Sequence, residues 1–97
     1  MQTLYEIVLE TYHDWDKSNI YNLFTFLDED EAEDFIKSEK FREYVKNYIS
    51  NNVGYYGEDG HSIYLFKVEF EHSSVQKYAY ERVITILYEK EIGDALD

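Results

Sequence analysis

The fold is decided near the N-terminus by residues 4–12, which read LYEIVLETY. In an extended chain, Tyr5, Ile7 and Leu9 fall on one side, whereas Glu6 falls on the other. Such alternation is typical of a β-strand with one face against a hydrophobic core. The stretch therefore predicts a strand over residues 4–12.

Two further strands are predicted from the same kind of pattern. Residues 20–27 are rich in aromatic and aliphatic side chains, and only a short polar connection, residues 13–19, separates them from the first strand. The two segments are expected to pair as an antiparallel hairpin. In residues 62–71 the aromatic and the charged side chains alternate, which predicts the third strand.

Two helices are predicted between the second and third strands. Asp28 is a suitable N-cap, and Glu31 three residues later completes a pair that resembles a capping box. On one straight helix, the apolar residues of 32–36 would lie about 150° from those of 41–49. We therefore expect a break near Ser38, which can cap the second helix.

The last segment carries two conflicting signals. Residues 83–87 include β-branched side chains typical of a strand, but the apolar residues of 75–87 recur at helical spacing. Ser73 with Gln76 resembles a capping box, and Gly93 suits a helix end. We predict a helix over residues 75–92. The expected fold is one α+β domain, residues 1–97, with a three-stranded, mainly antiparallel sheet, helices on one face and the order ββααβα.

Charge is the main indication of function. The chain has 21 acidic and nine basic residues, and its net charge is −12. Such an excess opposes compaction but sets partner choice and association rate. Interactions with a helix dipole account for two or three carboxylates at a helix start. Six carboxylates fall in one seven-residue window: Asp28, Glu29, Asp30, Glu31, Glu33 and Asp34.

Other residues extend this candidate partner-binding surface. Glu39 and Glu43 are spaced to share one helix face. Closely spaced carboxylates can imitate the phosphates of a DNA backbone, so a protein that binds phosphates is the expected partner. In the glycine-rich loop over residues 51–61 we expect four more contact residues, the tyrosines as anchors: Tyr55, Tyr56, Glu58 and Asp59.

The sequence argues against several other functions. Without cysteine, a disulfide, a thiol nucleophile or a thiolate metal site is excluded. Residues 14–19 begin like a calcium loop but lack its glycine and its bidentate glutamate. His13, His61 and His72 are dispersed, and we expect them in surface loops. No catalytic motif is present, so we predict no enzyme activity, no cofactor and no metal.

Nucleic acid and membranes are also unexpected ligands. The negative charge should repel both DNA and anionic lipids. No stretch is long enough to span a bilayer, and no signal peptide precedes the first strand. The expected location is the cytoplasm of a bacterial host.

In size, net charge, the 28–34 acidic cluster and its aromatic-rich strands, the chain resembles the small acidic DNA mimics encoded by phages. That class blocks the DNA-binding surface of host proteins such as restriction enzymes and the nucleoid protein HU, and the inhibitors of HU from Bacillus phages are most similar in kind. The resemblance implies a DNA mimic that binds a basic host protein, with HU as the first choice. The alternative is an acidic regulatory module whose partner does not bind DNA. A homodimer would enlarge the acidic surface, and the sequence leaves that choice open.

Overall fold

The computed structural model describes residues 3–13, 17–53 and 60–92, which form an α+β fold. A four-stranded antiparallel sheet has the strand order β2-β1-β3-β4, so β2 and β4 are its edges. A π-helical turn, Ile49–Val53, follows the second helix. The strands and helices are β1 (Thr3–His13), β2 (Lys17–Phe26), α1 (Glu29–Ile36), α2 (Glu39–Tyr48), β3 (His61–His72) and β4 (Tyr80–Ile92).

The two central strands form the floor of the core. Ile7 and Leu9 of β1 lie opposite Leu65 and Ile63 of β3, and all four side chains are buried. Burial of side chains of this size contributes about 1.5–3 kcal/mol each. The predicted antiparallel hairpin of β1 and β2 is confirmed.

The helices cover one face of the sheet. The predicted break is confirmed, since α1 ends at Ile36 and α2 begins at Glu39. The Ser38 Oγ accepts a hydrogen bond from the Phe41 backbone N–H at 3.2 Å and donates one to the Phe35 carbonyl at 2.6 Å. This cap turns the chain, so that residues of both helices face the sheet and join one core. The buried helical residues are Ala32, Ile36, Phe41 and Val45.

The helix predicted over residues 75–92 is wrong. Residues 80–92 form β4, which pairs antiparallel with β3 along its whole length. The sheet therefore has four strands, and the order is ββααββ. The Ser73 Oγ does accept bonds from the N–H groups of Val75 and Gln76, both at 3.0 Å, but these bonds close the hairpin turn instead of starting a helix. β-Branched residues favour the strand, and pairing with β3 satisfies its backbone.

The expectation that all three histidines lie in surface loops is wrong for His61. This residue begins β3, lies opposite Thr11 of β1, and is only 2% exposed. His72 at the other end of the same strand is exposed. The strand begins one residue before the predicted start, so His61 belongs to the sheet and lies between Thr11 of β1 and Ile92 of β4.

A shift in register decides which residues of β4 face the helices. Tyr88 lies opposite Leu65, but Ile86 lies opposite Phe66, so β4 contains one extra residue at this point. Such a bulge changes the phase of the alternation. Tyr88 is thereby placed on the helix side, whereas Ile84 and Ile86 lie on the face that the helices do not cover, called here the uncovered face.

Candidate partner-binding surface

The first turn of α1 holds most of the predicted acidic cluster. Asp28 caps the helix, and its Oδ1 accepts a hydrogen bond from the Asp30 backbone N–H at 3.3 Å. Ala32 and Ile36 point into the core and fix the orientation of the helix. The carboxylates on the other sides consequently face outward. Four of the six are exposed and two, Glu29 and Glu33, are half-buried; the exposed ones are Asp28, Asp30, Glu31 and Asp34.

The carboxylates of the cluster form no ion pair within the described part of the chain. Among the residues that the structure describes, the only ion pair within 4.0 Å joins Arg82 to Glu6, far from α1 in the sequence. The last turn of α1 contains no basic residue. Residues 28–34 thus form a compact acidic surface on one short helix, about 12 Å long.

The second helix does not continue this surface. Glu39 and Glu43 are exposed, as predicted, but they share α2 with Lys40, Arg42 and Lys46. Opposite charges are therefore interspersed along this helix, and its field is weaker than that of α1. The two predicted glutamates therefore follow the acidic cluster closely in the sequence, but they lie on a helix that carries both acidic and basic side chains.

A groove beside the junction of α1 and α2 collects basic side chains. It lies between the helices and the open end of the β3–β4 hairpin, where β3 begins and β4 ends. Its volume is about 310 Å³. Lys37, Arg42 and Lys90 line it together with Glu39, over an apolar floor that includes Phe41 and Tyr88. The positive charges of the chain are thus partly gathered here, away from the uncovered face.

The remaining predicted contact residues lie outside the described residues. These are Tyr55, Tyr56, Glu58 and Asp59 of the glycine-rich loop. The predicted surface is consequently described only for its helical part, from Asp28 to Glu43.

A second acidic group, which the sequence analysis missed, lies on the uncovered face. The Glu10 carboxylate accepts hydrogen bonds from the hydroxyls of Tyr12 and Tyr64, both at 2.9 Å. Burial alone would raise the pKa of Glu10, but the hydroxyls of Tyr64, Ser18 and Tyr12 outweigh it, and the pKa is lowered. The pairing of β1 with β3 makes this cluster, so only knowledge of that register could have revealed it.

The same cluster affects Tyr64. Its pKa is raised by the contact with the Tyr12 hydroxyl, by burial and by the bond that it donates to the Glu10 carboxylate. Glu10 therefore remains ionised and Tyr64 remains protonated at neutral pH. The network fixes a negative charge on the sheet and offers no proton for transfer near neutral pH.

Two kinds of feature are absent from the described ranges. No group of three or more His, Cys, Asp or Glu side chains there is placed to hold a metal ion. None of the helices found in those ranges is long and apolar enough to cross a membrane. The chain matches no family model, no curated protein and no solved structure.

Proposed function

We propose that this protein is a DNA mimic that binds the basic DNA-contacting surface of a host DNA-binding protein and blocks DNA binding. The nucleoid protein HU is the first-choice target, and restriction enzymes are the next class to test. The observation that carries the proposal is the acidic surface of α1, where six carboxylates occupy residues 28–34 and none forms a described ion pair.

The physical argument concerns what such a surface does to a partner. Carboxylates at i,i+4 on a helix have Cβ atoms about 5–6 Å apart, so Asp30 and Asp34 form a short row of closely spaced negative groups. A protein built to neutralise phosphates presents Lys and Arg side chains that such a row attracts. Attraction between opposite fields speeds encounter and competes directly with DNA.

The test is displacement of labelled duplex DNA from HU, followed by fluorescence anisotropy. We expect the protein to release the DNA, with an affinity that falls steeply as salt increases, because exposed charges are screened. The test variant combines Asp28→Asn, Asp30→Asn, Glu31→Gln and Asp34→Asn, and it should bind HU severalfold more weakly. Asn at position 28 preserves the cap, since Asn and Asp cap helices about equally well.

A matched control separates the position of the charge from its amount. Glu71, Glu81, Glu89 and Glu91 are exposed and lie outside the predicted surface, and replacing all four with Gln removes the same charge elsewhere. The control variant should retain most of the affinity. Equal losses in both variants would show that only net charge matters, and no displacement of DNA by the native protein would reject HU as the target.

The second candidate is an acidic regulatory module whose partner does not bind DNA. The mixed charge of α2 favours it, because the acidic surface is confined to one helix of eight residues. Affinity capture from a bacterial lysate distinguishes the two functions. Captured proteins that duplex DNA displaces support mimicry, whereas captured proteins that DNA leaves in place support the regulatory module.

A further inference from the structure

The outer edge of β4 is a long strand with no partner in the described part of the chain. It runs for 13 residues, Tyr80–Ile92, and pairs on one side only, with β3. Its other side presents a row of backbone N–H and C=O groups that can pair with a further strand. Natural proteins usually protect such an edge with charged side chains, proline or a covering segment.

The centre of β4 lacks that protection. Residues 83–88 read VITILY, without a charge, and the chain contains no proline. Ile84 is 48% exposed and Ile86 is 54% exposed on the uncovered face, while Val83 is exposed on the opposite side. In a protein with a net charge of −12, this edge offers a neutral apolar strip to a neighbour.

The distribution of charge indicates which neighbour fits. The helix α1 packs over β1, β2 and β3, so the acidic surface lies away from the β4 edge. Two copies that meet through β4 keep their acidic helices at the two far ends of a combined sheet. Contact through β2 would instead bring the acidic helices of both copies together and increase their repulsion.

The edge is also complementary to itself. A two-fold axis at Ile84 sets this residue against its own copy and sets Arg82 against Ile86. With this axis, no two charges of the same sign lie directly opposite each other. Like charges in that position would destabilise the pairing of the strands. Closed two-fold contact is the commonest symmetry of soluble oligomers.

We propose that two copies of this chain pair antiparallel through β4 and form an eight-stranded sheet. The dimer does not depend on the proposed function, since it needs no third partner. It would carry two acidic surfaces on one particle, and strand addition of this kind gains its affinity from main-chain hydrogen bonds and apolar contacts.

Light scattering coupled to size-exclusion chromatography gives the first test, from micromolar to millimolar protein. The chain has a mass of 11.7 kDa, and the native protein should show twice that mass. Ile84→Glu should be monomeric at concentrations where the native protein is a dimer. The control is Ile20→Glu, because Ile20 lies on the same face of the other edge strand, is 67% exposed, and changes the charge equally.

Both variants change exposed side chains, so circular dichroism and thermal unfolding should show intact folds. A native protein that is monomeric throughout this range would overturn the proposal, and so would a dimer that Ile20→Glu dissociates but Ile84→Glu does not. Assemblies that grow beyond two copies would also overturn it, because pairing through β4 closes at two.

Spin labels provide a second, independent measurement. The chain has no cysteine, so single substitutions can be labelled without other changes. Labels at Thr85→Cys should lie close together across the new contact. Labels at Ile20→Cys are separated by seven strand spacings, about 34 Å, across the sheet. Ile20 also lies level with Ser62, about six residues along β3 from Val68 at the axis, which separates the two labels by about 40 Å along the strands, so their distance should be about 50 Å. The reverse order of the two distances would place the contact at β2 and reject the proposal.

Discussion

Arg82 on β4 reaches across β3 and donates a hydrogen bond to the Glu6 carboxylate on β1, with 3.0 Å between Nη2 and Oε1. The register places Val68 of β3 between these two residues, and Val68 is fully buried although no helix covers its face. The ion pair thus ties together three strands on the uncovered face. No carboxylate of the acidic cluster on α1 forms an ion pair of this kind in the described part of the chain.

The first prediction concerns this ion pair. Arg82→Gln should lower the free energy of unfolding by about 1 kcal/mol, because Glu6, whose side chain is only 12% exposed, would lose its charged donor. The value is modest since the Arg82 side chain is 52% exposed and therefore screened by water. Urea denaturation measures the change. Arg42→Gln removes the same charge from exposed α2 and should have a smaller effect; equal effects would mean that the pair itself adds nothing.

The second prediction concerns the two ends of α1. Asp30 lies in its first turn and Asp34 in its last, where no basic residue is present. A negative charge is favourable at a helix N-terminus and unfavourable at its C-terminus, by about 0.3–1 kcal/mol. Asp34→Asn should therefore stabilise the protein in thermal or urea unfolding at low salt, whereas Asp30→Asn should not.

The same pair of variants bears on function. If both carboxylates bind a partner, Asp34→Asn should weaken binding to HU while it stabilises the fold. Weaker binding together with greater stability would show that the Asp34 carboxylate destabilises the fold but contributes to the binding surface. Stabilisation without any loss of binding would place Asp34 outside the contact surface.

Local patterns in the sequence were sufficient for most of the fold. The strands β1 to β3 and the break at Ser38 follow from alternation, helical periodicity and capping, each of which involves residues close in the chain. β4 was predicted wrongly because its apolar residues satisfy both the helical and the extended period. Pairing with β3 decides between them, and that contact joins residues such as Val68 and Ile84, which no local pattern relates.

The candidate site divides in the same way. The acidic surface of α1 was predictable because its residues are consecutive and a helix cap orders them. By contrast, Tyr64 and Glu10 are 54 residues apart, and Arg82 and Glu6 are 76 apart. The sheet register alone brings these residues together, so no local pattern in the sequence could indicate their contacts.

The third prediction concerns the cap between the helices. Ser38→Ala should lower the free energy of unfolding by about 1 kcal/mol, because the Phe41 N–H loses the hydroxyl that accepts its hydrogen bond. Ser38→Asn should restore most of this loss, since Asn is also a good N-cap. Chemical denaturation of both variants measures the difference. Ser74→Ala, in the exposed β3–β4 turn, is the control and should change the stability little.

The last prediction is a dependence of stability on pH through Glu10. The pKa of Glu10 is lowered from its ordinary value of 4.5, so folding favours the ionised carboxylate. Its contribution to stability is therefore fully present above that value and is lost as the pH falls through the lower pKa of the folded state. Tyr64→Phe removes one hydroxyl donor, so the pKa of Glu10 should rise toward its ordinary value, and the acid-dependent loss of stability should become smaller and end at a higher pH.

Two measurements check this prediction. An NMR titration of the Glu10 carboxyl carbon gives its pKa, and urea denaturation across the acidic range gives the stability, which Tyr64→Phe should lower by about 1 kcal/mol near neutral pH. Tyr80→Phe alters an exposed tyrosine at the far end of the uncovered face and serves as the control. An unchanged pKa of Glu10 in Tyr64→Phe would contradict this explanation, because the hydrogen bond from the Tyr64 hydroxyl is one of those that lower the pKa of Glu10.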